Sequence, residues 1–279
     1  MSSKEVILFI GDLFGKSGRS VLKKRLAELK KRYAVTAVVA NCENEAGVIG
    51  VTSAIARELL SLGVDVLTSG NHIWRYNEIY RFLEEEKRLL RPLNYPPGAP
   101  GHGMIVVELD MGFKLGVINL QGRVFMDPLD CPFRVVDQCL TRMALGRDPH
   151  AILVDFHAEA TSEKAAMGYH LDGRVTAVLG THTHVPTADA RILPRGTGFM
   201  TDVGMTGAYD SIIGMETRSV MPRFLRGLPT RFEPETSEGT LAAVVVEVDR
   251  GSGRCINLIP ILEGGGWPQK EDRQIAKQP

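Results

Sequence analysis

Five short apolar segments of this chain each end on polar residues that can hold a cation or move a proton. That placement constrains the fold more than any bulk property. Asp12 follows residues 6–10. Asn41, Glu43 and Asn44 follow residues 37–40, and Asn71 with His72 follows residues 64–68. His157 follows residues 151–156, and His182 with His184 follows residues 175–179. Amphipathic stretches at helical spacing separate the first three segments, over residues 17–33, 52–62 and 75–86. Such alternation predicts a parallel sheet covered by helices. In open α/β sheets ligands bind outside the carboxyl ends of the strands. Five strands would therefore deliver carboxylates, carboxamides and imidazoles to one rim.

Beyond residue 103 the rhythm changes. Residues 91–103, rich in Pro and Gly, read as a loop. Residues 104–109 and 114–120 read as two strands joined by a tight turn at Asp110-Met111-Gly112. A helix is expected over 133–145, and a hairpin over 190–193 and 198–201. Two more strands are expected over 241–248 and 255–261. These elements predict an α/β chain with two mixed β-sheets sandwiched between flanking helices, the first half leaning parallel. No internal repeat or Gly/Ser linker divides the chain. Residues 1–279 read as one domain, with a loose polar tail after about 264.

Composition narrows the function classes. Lys plus Arg equals Asp plus Glu, at 33 each. That balance argues against a stable nucleic-acid partner gripped by bulk charge. No stretch approaches the roughly 20 apolar residues of a membrane span. The apolar run at residues 6–10 is too short for the core of a signal peptide and runs straight into Asp12. Cys42, Cys131, Cys139 and Cys255 form no CxxC pair, which points to reduced thiols and a cytoplasmic protein.

Each polar residue has an ordinary alternative. His182 and His184, one residue apart on an extended segment, would point the same way because the strand period is two. Gly180 before them and Pro186 after them suggest a shaped turn instead. Asn71 and His72 could serve a turn for backbone reasons. Asp12 could cap the helix beginning near residue 17, although it lies several residues early. Together the set offers nitrogen and oxygen donors and no thiolate, which suits Mn, Fe, Zn or Co. Seven candidates exceed the needs of one tetrahedral ion. They suit two ions about 3.5–4 Å apart, bridged by a carboxylate and a hydroxide.

The motifs also carry a resemblance. Gly70-Asn71-His72 and Gly180-Thr181-His182-Thr183-His184 resemble elements of the calcineurin-like metallophosphoesterase superfamily. Its usual Asp-x-His is here Asp12-Leu13-Phe14, and its usual Gly-Asp-x-x-Asp is here Asn41-Cys42-Glu43-Asn44. These departures resemble the YmdB subfamily, whose motifs match residues 11–19, 41–44, 69–74 and 180–189. The likeness extends at least to Gly207. It implies a two-sheet sandwich flanked by helices and a dinuclear metal site, with iron or manganese favoured and zinc allowed. It assigns Asp12, Glu43, Asn44 and His184 to one ion, and Glu43, Asn71, His157 and His182 to the other. Glu43 then bridges, Asn44 takes the place of the missing histidine, and His72 is the acid. The implied activity is hydrolysis of a small phosphodiester, notably a 2′,3′-cyclic nucleotide. The resemblance also allows a homo-oligomer.

Two rivals come from other classes. Residues 11–17, Gly-Asp-Leu-Phe-Gly-Lys-Ser, approximate a phosphate-binding P-loop but are one residue short. A metal-containing regulator or scaffold with little catalysis would keep the same ligands. Residues outside the rim read blandly. Glu159, Ser162 and Lys164 fit a solvated helix start or a substrate approach. His102, His150 and His170 match no ligand motif.

Overall fold

The computed structural model describes residues 4–47 and 49–265. The chain opens with β1 (Lys4–Ile10), β2 (Asp12–Leu13), α1 (Gly15–Tyr33), β3 (Ala37–Asn41), α2 (Ser53–Ser61), β4 (Val66–Thr68) and α3 (Glu78–Glu85). It continues with β5 (Met104–Glu108), β6 (Lys114–Gln121), α4 (Pro132–Leu140), β7 (Ala151–His157), α5 (Thr161–Leu171) and β8 (Ala177–Thr181). The last elements are β9 (Arg191–Ile192), β10 (Gly198–Met200), β11 (Met205–Thr206), α6 (Thr217–Arg226), β12 (Thr240–Asp249) and β13 (Cys255–Gly264).

Two mixed sheets result. One has the order β13-β12-β1-β3-β4, the other β5-β6-β7-β8-β10-β9, and β11 pairs with β2 as a separate ribbon. β1, β3 and β4 run parallel, as the alternation predicts. β12 and β13 then join that sheet antiparallel from the far end of the sequence.

The burial pattern explains why these strands read as continuous apolar runs. Side chains alternate across a strand. Along β1, Val6, Leu8 and Ile10 enter a cluster with Leu22, Leu26, Leu59 and Phe82 of the helices. Ile7 and Phe9 point the other way, into a cluster with Val117, Leu153 and Leu179 of the second sheet. The outer face of that sheet, including Ile118, Val154 and Phe156, packs with Val136 of α4 and Met167 of α5. The central strands of each sheet are thus buried on both faces, between the partner sheet and a helical layer, while the edge strands β5, β9 and β13 stay partly exposed. This is the two-sheet sandwich expected from the sequence.

Local differences have physical causes. α4 ends at Leu140, short of the expected 145, because Ala144 and Asp148 pair across a turn that leads into β7. Met143 and Leu145 still bury against the third cluster, so their apolar spacing came from packing rather than from helix. α3 starts at Glu78 because residues Ile73–Arg75 form a 3₁₀ turn and Tyr76 is extended. The expected loose tail lies, beyond Gly265, outside the described residues. No helix among the described residues is long and apolar enough to cross a membrane.

Candidate metal centre

The carboxyl ends of β1, β3, β4, β7 and β8 meet at one rim, and the two sheets contribute to it jointly. Asp12 and Glu43 form its floor at 0% and 1% exposure, and His157 is fully buried beside them. Oε1 of Glu43 lies 3.1 Å from Nε2 of His157. The same His157 nitrogen is 3.1 Å from Nδ1 of His182 and 3.2 Å from Oδ1 of Asn71. Donor atoms of Glu43, His157 and His182 all lie within 4.8 Å of one another, a cluster able to hold a metal ion. Asn71, His72 and His182 are partly exposed and form the mouth.

Hydrogen bonds at His157 and His184, and a carboxylate contact at His182, determine which nitrogen of each imidazole faces inward. The Thr181 hydroxyl donates to Oδ1 of Asp155 at 2.7 Å, so its oxygen must accept from Nδ1–H of His157, 2.9 Å away. That leaves Nε2 of His157 toward the cluster. Nε2 of His182 is 3.0 Å from the Glu159 carboxylate, which leaves Nδ1 facing inward. Nδ1 of His184 donates to the carbonyl of Ile213 at 2.9 Å, and its Nε2 faces Asn44 at 3.1 Å. Each imidazole therefore has one nitrogen held by an outer partner; the other nitrogen of His157 and of His182 turns toward Glu43, and that of His184 toward Asn44. Outer partners of this kind orient metal-binding histidines.

Electrostatics point the same way. Burial raises the carboxyl pKa of Asp12, against the pull of His184 and His157. Its Oδ1 has no hydrogen-bond partner, while Oδ2 accepts from the backbone N–H of His182 at 3.1 Å. Burial would also raise Glu43, but His157 and His72 beside it hold the group well below the usual range. Burial opposes charge on His157, yet the Glu43 and Asp12 carboxylates bring its pKa up to about 9. Burial and the neighbouring His157 push His182 down to about 3. Two imidazoles 3.1 Å apart hold one proton between them rather than two. A buried carboxylate oxygen without a hydrogen bond is costly. Beside inward-facing imidazole nitrogens, it fits a cation.

Asn44 is the one expected ligand that faces differently. Its carboxamide nitrogen, not its oxygen, points to Oε1 of Glu43 at 3.2 Å and to His184, while Oδ1 meets Nδ1 of His72 at 3.0 Å. A half-turn of the carboxamide exchanges the two atoms. Gly70 has a strict requirement: a Cβ there would stand 2.1 Å from the His157 ring and 2.4 Å from Oε2 of Glu43.

Three alternatives left open by the sequence are resolved. His182 and His184 sit on the shaped turn that Gly180 and Pro186 suggest, not on an extended segment, with φ angles of 97° and 65°, in the left-handed region. They diverge, His182 toward His157 and His184 toward Asn44. Lys164 is not part of a solvated helix start: it is 1% exposed and ion-paired to Asp202. Asp12 caps no helix, since Phe14 precedes α1.

The P-loop alternative also fails on geometry. The amides of Phe14 and Gly15 donate to the carbonyls of Thr206 and Asn44, at 2.9 and 3.0 Å, and so cannot cradle phosphate. Gly11 and Gly18 are small for packing, since a Cβ at either would strike the carbonyl of Gly204 or Thr206.

Asp155 was missed at the sequence level. Its signal is an acid inside an apolar strand, two residues before His157 and so on the same face. It accepts hydrogen bonds from Asn41, Thr68 and Thr181.

A two-sheet α/β sandwich that gathers buried carboxylates and imidazoles at its strand ends defines a protein of the metallophosphoesterase type. The chain belongs to the YmdB-like protein family, whose model matches residues 8–261. It is 46% identical over 256 residues to a Bacillus subtilis protein described as 2′,3′-cyclic-nucleotide 2′-phosphodiesterase, covering 92% of this chain and 96% of that one. A crystal structure of a Thermus thermophilus protein matches with a TM-score of 0.86 and 44% identity, covering 92% of this chain and 98% of that one. A Mycoplasma pneumoniae structure described as a novel phosphatase matches with a TM-score of 0.87 and 35% identity, covering 95% and 96%.

Proposed function

We propose that this chain is a metal-dependent phosphodiesterase that hydrolyses 2′,3′-cyclic nucleotides, and that residues 1–279 form one domain for that purpose. The observation that carries this reading is the convergence of inward imidazole nitrogens on buried Glu43, beside an Asp12 oxygen without a hydrogen-bond partner. The identity with the Bacillus subtilis enzyme supports the choice of substrate. In this reading Asp12, Glu43, Asn44 and His184 hold one ion. Glu43, Asn71, His157 and His182 hold a second, with Glu43 shared. Iron or manganese is the preferred metal, and zinc suits the same donors. Four free thiols, two of them buried, suit the cytoplasm.

Bound there, the ions would supply Lewis acidity toward phosphoryl oxygens and acidify water toward neutral pH. The chain's own residues do the rest. Asp12 and Glu43 bring two negative charges, fewer than two divalent cations carry, so the loaded pocket attracts a phosphodiester. As the new P–O bond forms, the bond to one ribose oxygen breaks. That oxygen is a poor leaving group and needs a proton. His72 stands at the mouth, one-third exposed, with Nδ1 held by Asn44 and Glu43. It is the donor in this reading, and general acid help of this kind is worth about 10²–10⁴-fold.

Elemental analysis of the purified protein, beside a panel of cyclic and linear phosphodiesters and monoesters, tests the proposal. Two metals per chain with preference for the cyclic diesters is the expected result. One metal or none after loading would sink the dinuclear reading. Two metals with no turnover of any ester would favour a scaffold.

A further inference from the structure

The turn that carries His182 and His184 is held by a buried ion pair that touches neither histidine. Both residues have left-handed φ angles, a conformation that side chains with a Cβ disfavour. Such a backbone persists only when its surroundings over-determine it. The surroundings here are specific. Lys164, projecting from α5, is 1% exposed and donates from Nζ to the carbonyl of Thr181 at 2.7 Å. It also donates to Oδ2 of Asp202 at 2.6 Å. That same oxygen accepts from the backbone N–H and hydroxyl of Thr183, at 3.1 and 2.8 Å. The other Asp202 oxygen accepts from the N–H of Gly204 at 2.8 Å.

One ammonium thus grips the residue before His182, and one carboxylate grips the residue between the two histidines. Neutral contacts complete the frame. Val203 donates to the carbonyl of Gly180 at 2.9 Å, and Met205 to that of His184 at 3.2 Å. A Cβ at Gly180 would lie 1.8 Å from the carbonyl of Thr201, so the two segments run in close contact.

We propose that Lys164 and Asp202 are positioning residues for metal binding: together they hold the left-handed His182-Thr183-His184 turn that aims both imidazoles. The proposal rests on reading His182 and His184 as metal ligands. Lys164 does not reach substrate in this account, because both of its contacts are inside the protein.

The test separates positioning from stability. Removing one member of a buried pair leaves a lone charge and is strongly destabilising, whereas removing both often is not. Lys164→Met and Asp202→Asn are therefore made singly and together. Each is followed by thermal unfolding in chelator and by calorimetric titration with Mn²⁺ alone. The expected result is that the double variant regains most of the chelated protein's thermal stability but keeps a 10–100-fold loss of Mn²⁺ affinity, a size typical of lost outer support. Recovery of both properties together would overturn the proposal. Thr183→Val adds a probe that creates no buried charge, and a several-fold loss of affinity is expected. Unchanged affinity in that variant would count against the clamp. His182→Ala and His184→Ala serve as controls. If they bound Mn²⁺ like the parent, the ligand reading itself would fail, independently of the ion pair.

Discussion

Nδ1 of His157 lies 2.9 Å from the hydroxyl oxygen of Thr181, whose own hydrogen is committed to Asp155 at 2.7 Å. A hydroxyl has one hydrogen, so this relation alone decides the tautomer of the most buried imidazole in the site. Thr181→Val removes the acceptor and leaves the Nδ1–H buried without a partner. Mn²⁺ affinity is expected to fall 10–100-fold, and stability by about 1–3 kcal/mol. Titration calorimetry and denaturant unfolding check the two numbers, and Thr181→Ser should restore both.

Glu159 offers a different balance. Its side chain is 47% exposed, and it meets Nε2 of His182 at 3.0 Å. Glu159→Ala should therefore change folding stability by no more than about 0.5 kcal/mol, yet weaken metal binding by freeing the imidazole to rotate or change tautomer. Equal Mn²⁺ affinity in variant and parent would show that Glu159 does not orient His182.

His72 should matter in proportion to the leaving group. For a cyclic nucleotide, whose departing ribose oxygen needs a proton, His72→Ala is expected to lower kcat by about 10²–10⁴-fold. For a p-nitrophenyl diester, whose leaving group departs as a stable anion, the loss should be small. Comparable losses on both substrates would argue that His72 acts otherwise than as an acid.

The metal-stripped protein should respond to pH through His157. Its pKa rises from an ordinary 6.5 to about 9 in the fold, because Glu43 and Asp12 outweigh burial. A group raised in this way contributes stability fully below about pH 6.5, and the contribution is lost as pH climbs through about 9. Chemical denaturation in chelator over that window should show falling stability. Metal binding must displace the same proton, so calorimetry in buffers of different ionisation enthalpy should detect proton release near pH 7.5.

Cys42 should resist alkylation despite its neighbour Glu43. It is fully buried, and burial together with Glu45 and Glu43 raises its thiol pKa well above the usual value. Burial likewise pushes the Cys255 thiol up to about 12. The thiolate is the reactive form. Mass spectrometry after iodoacetamide treatment of the native protein at pH 8 should find both residues unmodified, and both labelled once the chain is denatured. Labelling of native Cys42 would contradict this burial.

What could be read from the sequence alone was whatever depends on neighbours along the chain. The alternation of apolar runs with helical stretches specified the elements. The position of Asp12, Glu43, Asn71, His157 and His182 just past those runs, or at their ends, specified the rim. Both signals are local, because side-chain direction repeats every two residues in a strand and every 3.6 in a helix.

Tertiary structure decided the rest, because it depends on partners far apart in sequence. β12 and β13 complete the first sheet beside β1 across more than two hundred residues. Gly180 and Pro186 suggest a turn at His182 and His184, but its left-handed form depends on Lys164 and Asp202, which hold it from other elements. Which imidazole nitrogen faces inward was likewise outside the reach of sequence. Thr181 and Ile213 settle it by hydrogen bonds and Glu159 by a close carboxylate contact, and such contacts have a direction only once both groups are placed in space.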